Sequence, residues 1–303
     1  MPFDRPSLEL FNQHCSELFQ EIELEKCWIQ GKATGLKKES EGWKIQLISG
    51  KEIKSKNVVL AMGLSEQPHI PEWAQQARER GGQIFHIFEK NIPNLHTISQ
   101  PIVIIGGGIS AAHTSLKLSR LFPGRVTLIT RHSLRVRQFD ADPGWLGPKY
   151  MSGFSQIKDH SERRKVIQEA RYRGSMPKEL FNALMRSIKK GNLSLIQDEV
   201  LHTKVKQEYL ILSLASKIQL EARTILLTTG FHPKVPGIEW LKNTIDHLEL
   251  PCADCGYPIV SPETLEWAPH LYVIGALAEL EIGPVSRNIA GARRGAERIL
   301  KAP

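Results

Sequence analysis

Residues 101–120 read Pro101-Ile-Val-Ile-Ile-Gly-Gly-Gly-Ile-Ser-Ala-Ala-His-Thr-Ser-Leu-Lys-Leu-Ser-Arg120. Four β-branched apolar residues, Ile102 to Ile105, run into a glycine triplet, and a helix-like stretch with small residues follows. The triplet opens a G-x-G-x-x-A pattern, Gly106-Gly107-Gly108-Ile109-Ser110-Ala111, in the strand–turn–helix setting that gives it meaning. Gly106 permits the tight turn. Gly108 keeps a Cβ away from an approaching pyrophosphate, and Ala111 lets helix and strand pack closely. The helix start then offers amide N–H groups and a partial positive charge to phosphates. The competing reading is a glycine-rich strand-to-helix turn with no ligand.

Outward from this turn, Arg125–Thr130 reads as the second strand of a βαβ unit. The residues after it choose between nicotinamide cofactors. A carboxylate there suits the ribose of NAD, and cations suit the 2′-phosphate of NADP. Here Thr130-Arg131-His132-Ser133-Leu134-Arg135 brings no acid before Asp140. Arginine forks onto phosphate with two charge-assisted bonds, so Arg131 and Arg135 favour NADPH over NADH. The alternative is that both are solvated surface charges. Residues 140–192 break the strand–helix alternation. Asp140–Gly153 is rich in glycine and proline, and helices are expected over Glu162–Arg173 and Pro177–Lys190.

Strands are expected at Leu193–Ile196, Tyr209–Leu212 and Ile218–Leu220. Two apolar strands end in glycine on either side of the central turn, Asn57–Gly63 and Thr224–Gly230, each with trailing prolines. Such glycines let chain pass close to a bound dinucleotide while crossing between domains. Near the N-terminus, residues 5 to 20 read as a helix capped by Ser7, with Leu8, Phe11, Cys15, Leu18 and Phe19 on one face. Trp43, Ile45 and Leu47 alternate as a strand, turned by Ser49-Gly50 toward Ile53. The last stretch is a strand at Leu271–Ala276, then Gly283-Pro284, then a helix from about Asn288 to Lys301. A helix starting there can aim its N–H groups at negative charge on a flavin pyrimidine edge, with Ser286 or Asn288 as cap.

The chain has 303 residues, room for roughly two domains. Its 41% hydrophobic and 24% charged content is that of a globular protein. No apolar run reaches the ~18 residues of a membrane span, and no secretory signal is visible at the start, so a cytoplasmic location without membrane partners is expected. The net charge of +8 lacks a reader fold for nucleic acid and suits anionic small molecules instead. Cys252-Ala-Asp-Cys255 stands alone without a second ligand pair, so no metal site is expected. A redox dithiol and two incidental loop cysteines both fit it.

The ordered set now resembles a known family. Ala61-x-Gly63, the G-x-G-x-x-A turn, Thr229-Gly230-Phe231-His232-Pro233 and the tail from Leu271 to Ile299 resemble the two-dinucleotide-domain flavoproteins. Within these they are most similar to the flavin-dependent N-hydroxylating monooxygenases of lysine/ornithine type, with an aspartate N-monooxygenase/urate hydroxylase-like branch sharing the pattern. The helical insertion resembles the one those enzymes carry. The resemblance implies a Rossmann-like FAD/NAD(P)-binding α/β fold, in which an NADP-binding domain is inserted in a truncated FAD-type domain. The domains would be residues 1–95 with 251–303 for the partial FAD-type part, and 96–250 for the NADP-binding part, with its insertion at about 140–192. It implies NADPH and FAD as cofactors, hydride transfer to flavin, O₂ activation, and a small-molecule substrate such as an amine or amino acid. Gly106, Gly107, Gly108, Ile109, Ser110 and Ala111 carry over to the NADPH pyrophosphate, Arg131 and Arg135 to its 2′-phosphate, and Gly230 to the crossing between domains. Gly275, Gly283, Pro284 and Asn288 carry over to the flavin side. No residue acquires a catalytic role.

Two departures stand out. Gly275-Ala276 replaces the Gly-Asp of many relatives. The family's first strand and its own G-x-G-x-x-G, roughly the first ~100 residues of a FAD domain, have no counterpart after Met1. Weak FAD retention by the isolated chain is therefore expected, and a homo-oligomer or a separate polypeptide supplying the FAD segment both fit. Three functions compete: an FAD- and NADPH-dependent monooxygenase-like oxidoreductase, a truncated or degenerate non-enzymatic NADPH-binding module, and a disulfide reductase using Cys252 and Cys255.

Overall fold

This computed structural model describes residues 7–302. The chain divides into two compact units, Met1–Lys56 and Asn57–Pro303.

In the first unit Ser7 caps the helix Leu8–Glu21, its hydroxyl accepting from the Leu10 amide at 3.1 Å. The expected apolar face exists but stays in solvent: Leu8, Phe11, Leu18 and Phe19 are all exposed. A three-stranded antiparallel sheet follows in the order Ala33–Glu39, Gly42–Leu47, Glu52–Ser55. Trp43 and Leu47 are buried, as their alternation predicts.

The second unit is built on five parallel strands in the order Leu193–Gln197, Val126–Thr130, Ile102–Ile105, Thr224–Leu227, Ile84–His86. A parallel sheet is covered on both faces, which is why its strands read as unbroken apolar runs. Ile102, Ile104, Val126, Leu128 and Leu226 face the helices Ile109–Leu121 and Lys178–Lys189. Val103, Ile129, Ile225 and Leu227 face an antiparallel meander, Val200–Lys206, Tyr209–Leu214 and Gln219–Ala222, together with Ala74 and Ala77 of the helix Glu72–Glu79. The Ile102 strand is followed on one side by the Val126 strand and flanked on the other by the Thr224 strand. The order therefore reverses at Gly106 and Thr228, and the crevice outside those strand ends is the ligand position of such sheets. Ile84–His86 joins this sheet from before residue 96.

A smaller sheet pairs Val58–Leu60 in parallel with Leu271–Val273, which pairs antiparallel with Glu266–Ala268. Val59 is exposed, so the strand ending near Gly63 is only half-buried. Within 140–192 the glycine- and proline-rich stretch is more ordered than its composition suggests. It holds a 3₁₀ turn, Pro143–Leu146, and a helix, Pro148–Gln156. Each begins on proline, whose fixed φ suits a first helical position, and Asp142 accepts from the Gly144 amide at 2.7 Å. The next helix, His160–Ala170, stops short of Arg173. Among the described residues no helix is long and apolar enough to cross a membrane.

Candidate functional site

The glycine turn sits at the switch point. Gly106 has φ 144°, and a Cβ there would stand 2.3 Å from Thr228 Oγ1 and 2.7 Å from its carbonyl oxygen. Thr228 is held in turn by donating to the Ile105 carbonyl at 2.7 Å. Gly106 is therefore fixed by its neighbouring strand. Gly108 is the N-terminal residue before the helix, and a Cβ there would meet only ordinary contacts, the nearest being Gly174 Cα at 3.5 Å. Its absence leaves open the approach over the helix start. Ile109 is the first helical residue and is exposed, Ser110 follows, and Ala111 is fully buried against the sheet.

Arg131 directly follows the adjacent strand, and Arg135 opens a two-residue strand, Arg135–Val136, that pairs with Ser175–Met176. Arg131 is exposed and stands 3.9 Å from Glu199, while Arg135 is exposed and donates to the Arg173 carbonyl at 3.5 Å. His132 lies between them, its ring 3.3 Å from the places where Cβ atoms of Gly107 and Gly174 would be. Across the crevice, Gly230 (φ 76°) accepts from the His69 amide at 2.8 Å. His69 meets His232 edge-on at 4.7 Å between ring centroids. Burial, then the charges of His232 and Arg131, lower the His69 pKa. His86, at the end of its strand, is fully buried; burial lowers its pKa although Glu89 pulls the other way.

The C-terminal stretch forms its own cluster. Gly275 (φ 65°) lies near Met62, and Gly283 has φ 83°. Asn288 caps the helix Ile289–Ile299, accepting from the Gly291 amide at 3.0 Å. Ser286, the other expected cap, is instead buried with a hydroxyl that has no hydrogen-bond partner. Pro284 offers its carbonyl to Arg171 at 2.9 Å. This contact joins the expected flavin-side residues to the loop carrying Gly174, which packs on the nucleotide turn. Around it, fully buried Glu279 pairs with Arg164 and, at 2.7 Å, with Arg287; Arg163 pairs with Glu281. Arg287 also donates to Tyr257 at 3.1 Å, and the Arg164 guanidinium lies 4.3 Å from the centre of the Tyr257 ring.

Sequence reasoning gave no role to Thr228, Gly174, the four histidines or this arginine network. Only the network left a trace, the two acids Glu279 and Glu281 alternating with apolar residues over Leu277–Ile282. Cys252 and Cys255 are unbridged. Burial, then the charges of Cys255 and Asp246, raise the Cys252 pKa, the reverse of what a thiolate nucleophile needs. Among the described residues no group of three or more His, Cys, Asp or Glu side chains could hold a metal.

Solved structures share this fold. Ornithine hydroxylase PvdA from Pseudomonas aeruginosa superposes with a TM-score of 0.73 at 17% identity, covering 97% of this chain and 75% of that one. DfoA from Erwinia amylovora, a cadaverine monooxygenase of desferrioxamine biosynthesis solved with FAD bound, gives 0.69 at 15% identity, covering 89% of this chain and 67% of that one. L-lysine 6-monooxygenase from Pseudomonas syringae gives 0.60 at 14% identity, covering 94% and 82%. No curated protein sequence matches significantly. At these identities the superpositions establish the Rossmann-like architecture. The sequence itself matches the L-lysine 6-monooxygenase/L-ornithine 5-monooxygenase family over residues 32–206, more than half its length, with the nucleotide turn inside the match. The chain belongs to that family.

Proposed function

We propose that this chain works as an FAD- and NADPH-dependent oxidoreductase of the monooxygenase kind, acting on a small amine or amino acid. The observation that carries this reading is the Gly106–Ala111 turn at the switch point of a parallel sheet, in a chain of this family.

The residues present fit a pyridine dinucleotide. The space above Gly108 is one that a Cβ would narrow, and the helix start beneath it supplies amide donors. Gly107, Gly108, Ile109 and Ser110 hold the pyrophosphate, Ala111 seats the helix, and Arg131 with Arg135 receives the 2′-phosphate. Gly230 brings its strand end alongside without a side chain. On the flavin side, Gly275, Gly283, Pro284 and Asn288 line one stretch, with the orphaned Ser286 hydroxyl as a donor beside it. The chemistry these groups supply when bound is hydride transfer and oxygen activation, ending in oxygen transfer to a nucleophilic nitrogen. The chain's own contribution is positioning. Thr228 braces the turn, and the Arg164–Glu279–Arg287 network fixes the insertion against the C-terminal stretch.

A second reading is an NADPH-binding module that does not itself turn over, favoured by the one dinucleotide fingerprint of these residues lying in the NADPH-type turn. Calorimetric titration with NADPH tests the shared premise, and Gly108→Asp should abolish the binding heat. A parent protein that gives no heat with saturating NADPH removes both readings. Flavin-dependent NADPH oxidation by the purified chain with added FAD then separates the enzyme from the module.

A further inference from the structure

Between the nucleotide turn and Pro284 the chain gathers more cations than it neutralises. Arg163, Arg164, Arg171, Arg173 and Arg287 share this region. Arg163 is matched by Glu281, and Arg164 with Arg287 by Glu279. Among the described residues neither Arg171 nor Arg173 has a carboxylate within ion-pair distance. Asp140 is near Arg171 but reaches it only through space.

Arg171 is half-buried, and its guanidinium is only partly satisfied. One terminal nitrogen donates to the Pro284 carbonyl at 2.9 Å, while its buried Nε has no hydrogen-bond partner. Burial, then the charges of Arg287 and Arg173, lower its pKa to about 10, against a smaller pull from Asp140 and Tyr257. Arg173 is lowered in the same way by burial, Arg287 and Arg164. A buried donor left unmade is costly, more so when it is charged, and the fold retains this cost beside its nucleotide turn. Gly174, the next residue, lies where a Gly108 Cβ would touch it at 3.5 Å. Arg135 reaches the Arg173 carbonyl.

We propose that Arg171 and Arg173 form an oxyanion site that takes a phosphate or carboxylate group of a small molecule bound between the glycine turn and Pro284. An arginine fork matches either oxyanion with two charge-assisted bonds, and one such group would balance the local excess charge. The site stands on its own geometry. Only its source, a dinucleotide phosphate or a substrate carboxylate, rests on the proposed function.

Thermal unfolding and calorimetry of the full chain with inorganic pyrophosphate and with glutarate, at constant ionic strength set by NaCl, test the site. At least one probe should raise the melting temperature of the parent beyond NaCl alone. Arg171→Gln and Arg173→Gln should each weaken that probe roughly tenfold, while Lys242→Gln, in an exposed helical pair with Asp246, should not. Arg173→Gln keeps the test valid if Arg171→Gln misfolds, because among the described residues the Arg173 side chain makes no hydrogen bond that the substitution would remove. Competition between NADPH and the bound probe assigns the site to a nucleotide phosphate, and simultaneous binding assigns it to a substrate carboxylate. The proposal is overturned if neither probe acts on the parent beyond NaCl, or if the folded arginine variants bind like the parent. NADPH binding without probe binding sinks this site and spares the nucleotide reading; the converse does the opposite.

Discussion

Two neighbouring glycines carry different duties, and substitution separates them. Alanine at 106 would press its methyl into Thr228 at 2.3 Å while holding φ at 144°. Overpacking costs roughly 1–3 kcal/mol and a strained backbone about as much again. Gly106→Ala should therefore lower stability by about 2–5 kcal/mol in denaturant unfolding, with or without ligand. Alanine at 108 meets nothing closer than 3.5 Å, so Gly108→Ala should unfold like the parent and lose NADPH affinity by roughly tenfold or more. Equal NADPH titrations for Gly108→Ala and parent would remove the assigned role of that residue. Arg131 and Arg135 are exposed, and losing both should shift stability by less than about 0.5 kcal/mol. Each charge-assisted bond to phosphate is worth about 1.5–3 kcal/mol. The double glutamine variant should therefore narrow the preference for NADPH over NADH by roughly tenfold to a hundredfold. An unchanged ratio of affinities would return both arginines to the role of solvated surface charges.

At the scale of elements, the carboxyl edge of the parallel sheet contains a buried titrating group. His86 closes the edge strand Ile84–His86, is fully buried, and its Nε2 has no hydrogen-bond partner. Gly230 lies near enough to favour a ring proton, but without hydrogen-bond geometry at Nε2. Burial lowers the folded pKa below the ordinary 6.5. Below pH 6.5 the unfolded chain therefore takes up a proton that the folded chain resists, and stability falls with pH until the folded pKa is reached. Each unit of depression corresponds to about 1.4 kcal/mol. Denaturant midpoints should fall between pH 7 and pH 5, and His86→Phe should flatten that slope; an equal slope in the variant would assign the effect elsewhere. Nothing in the sequence marked this histidine, because burial at a strand end is set by pairing with Thr224–Leu227, more than a hundred residues away. What was legible shared one property, a local period. The Ile102 strand, its turn, its helix and the Val126 strand all follow from apolar runs and glycine placement. The Pro148–Gln156 helix was not legible, because its composition reads as loop while its order comes from a proline start and tertiary packing of Phe154. Gly291 was not legible either: a Cβ there would stand 2.2 Å from the Val285 carbonyl, a tightness set by the turn before the helix.

For the whole molecule, one fingerprint and a net charge of +8 make opposite statements about two cofactors. The fingerprint lies in the five-stranded sheet, where the Gly106 turn meets the basic rim of Arg131 and Arg135. On the proposed reading, a pyridine dinucleotide finds both pyrophosphate amides and cations there. Its attraction to exposed cations is screened as the Debye length falls from about 10 Å at 0.1 M salt to about 3 Å at 1 M. NADPH affinity should accordingly weaken with added NaCl more steeply than NADH affinity, the difference reporting the 2′-phosphate. The flavin side has a helix start at Asn288, left-handed glycines at 275 and 283, and the Ser286 hydroxyl, but no second G-x-G-x-x-G for its pyrophosphate. On the proposed reading these residues meet the ring end of the flavin, whereas backbone amides at a helix start are the main phosphate donors in such folds. These 303 residues, purified without added cofactor, should carry FAD at well below one per chain by absorbance near 450 nm, while still binding NADPH. A stoichiometric flavin surviving gel filtration would show that this stretch of chain holds the diphosphate by residues other than a glycine fingerprint, and would turn attention to the uncompensated arginines at 171 and 173 as its anchor.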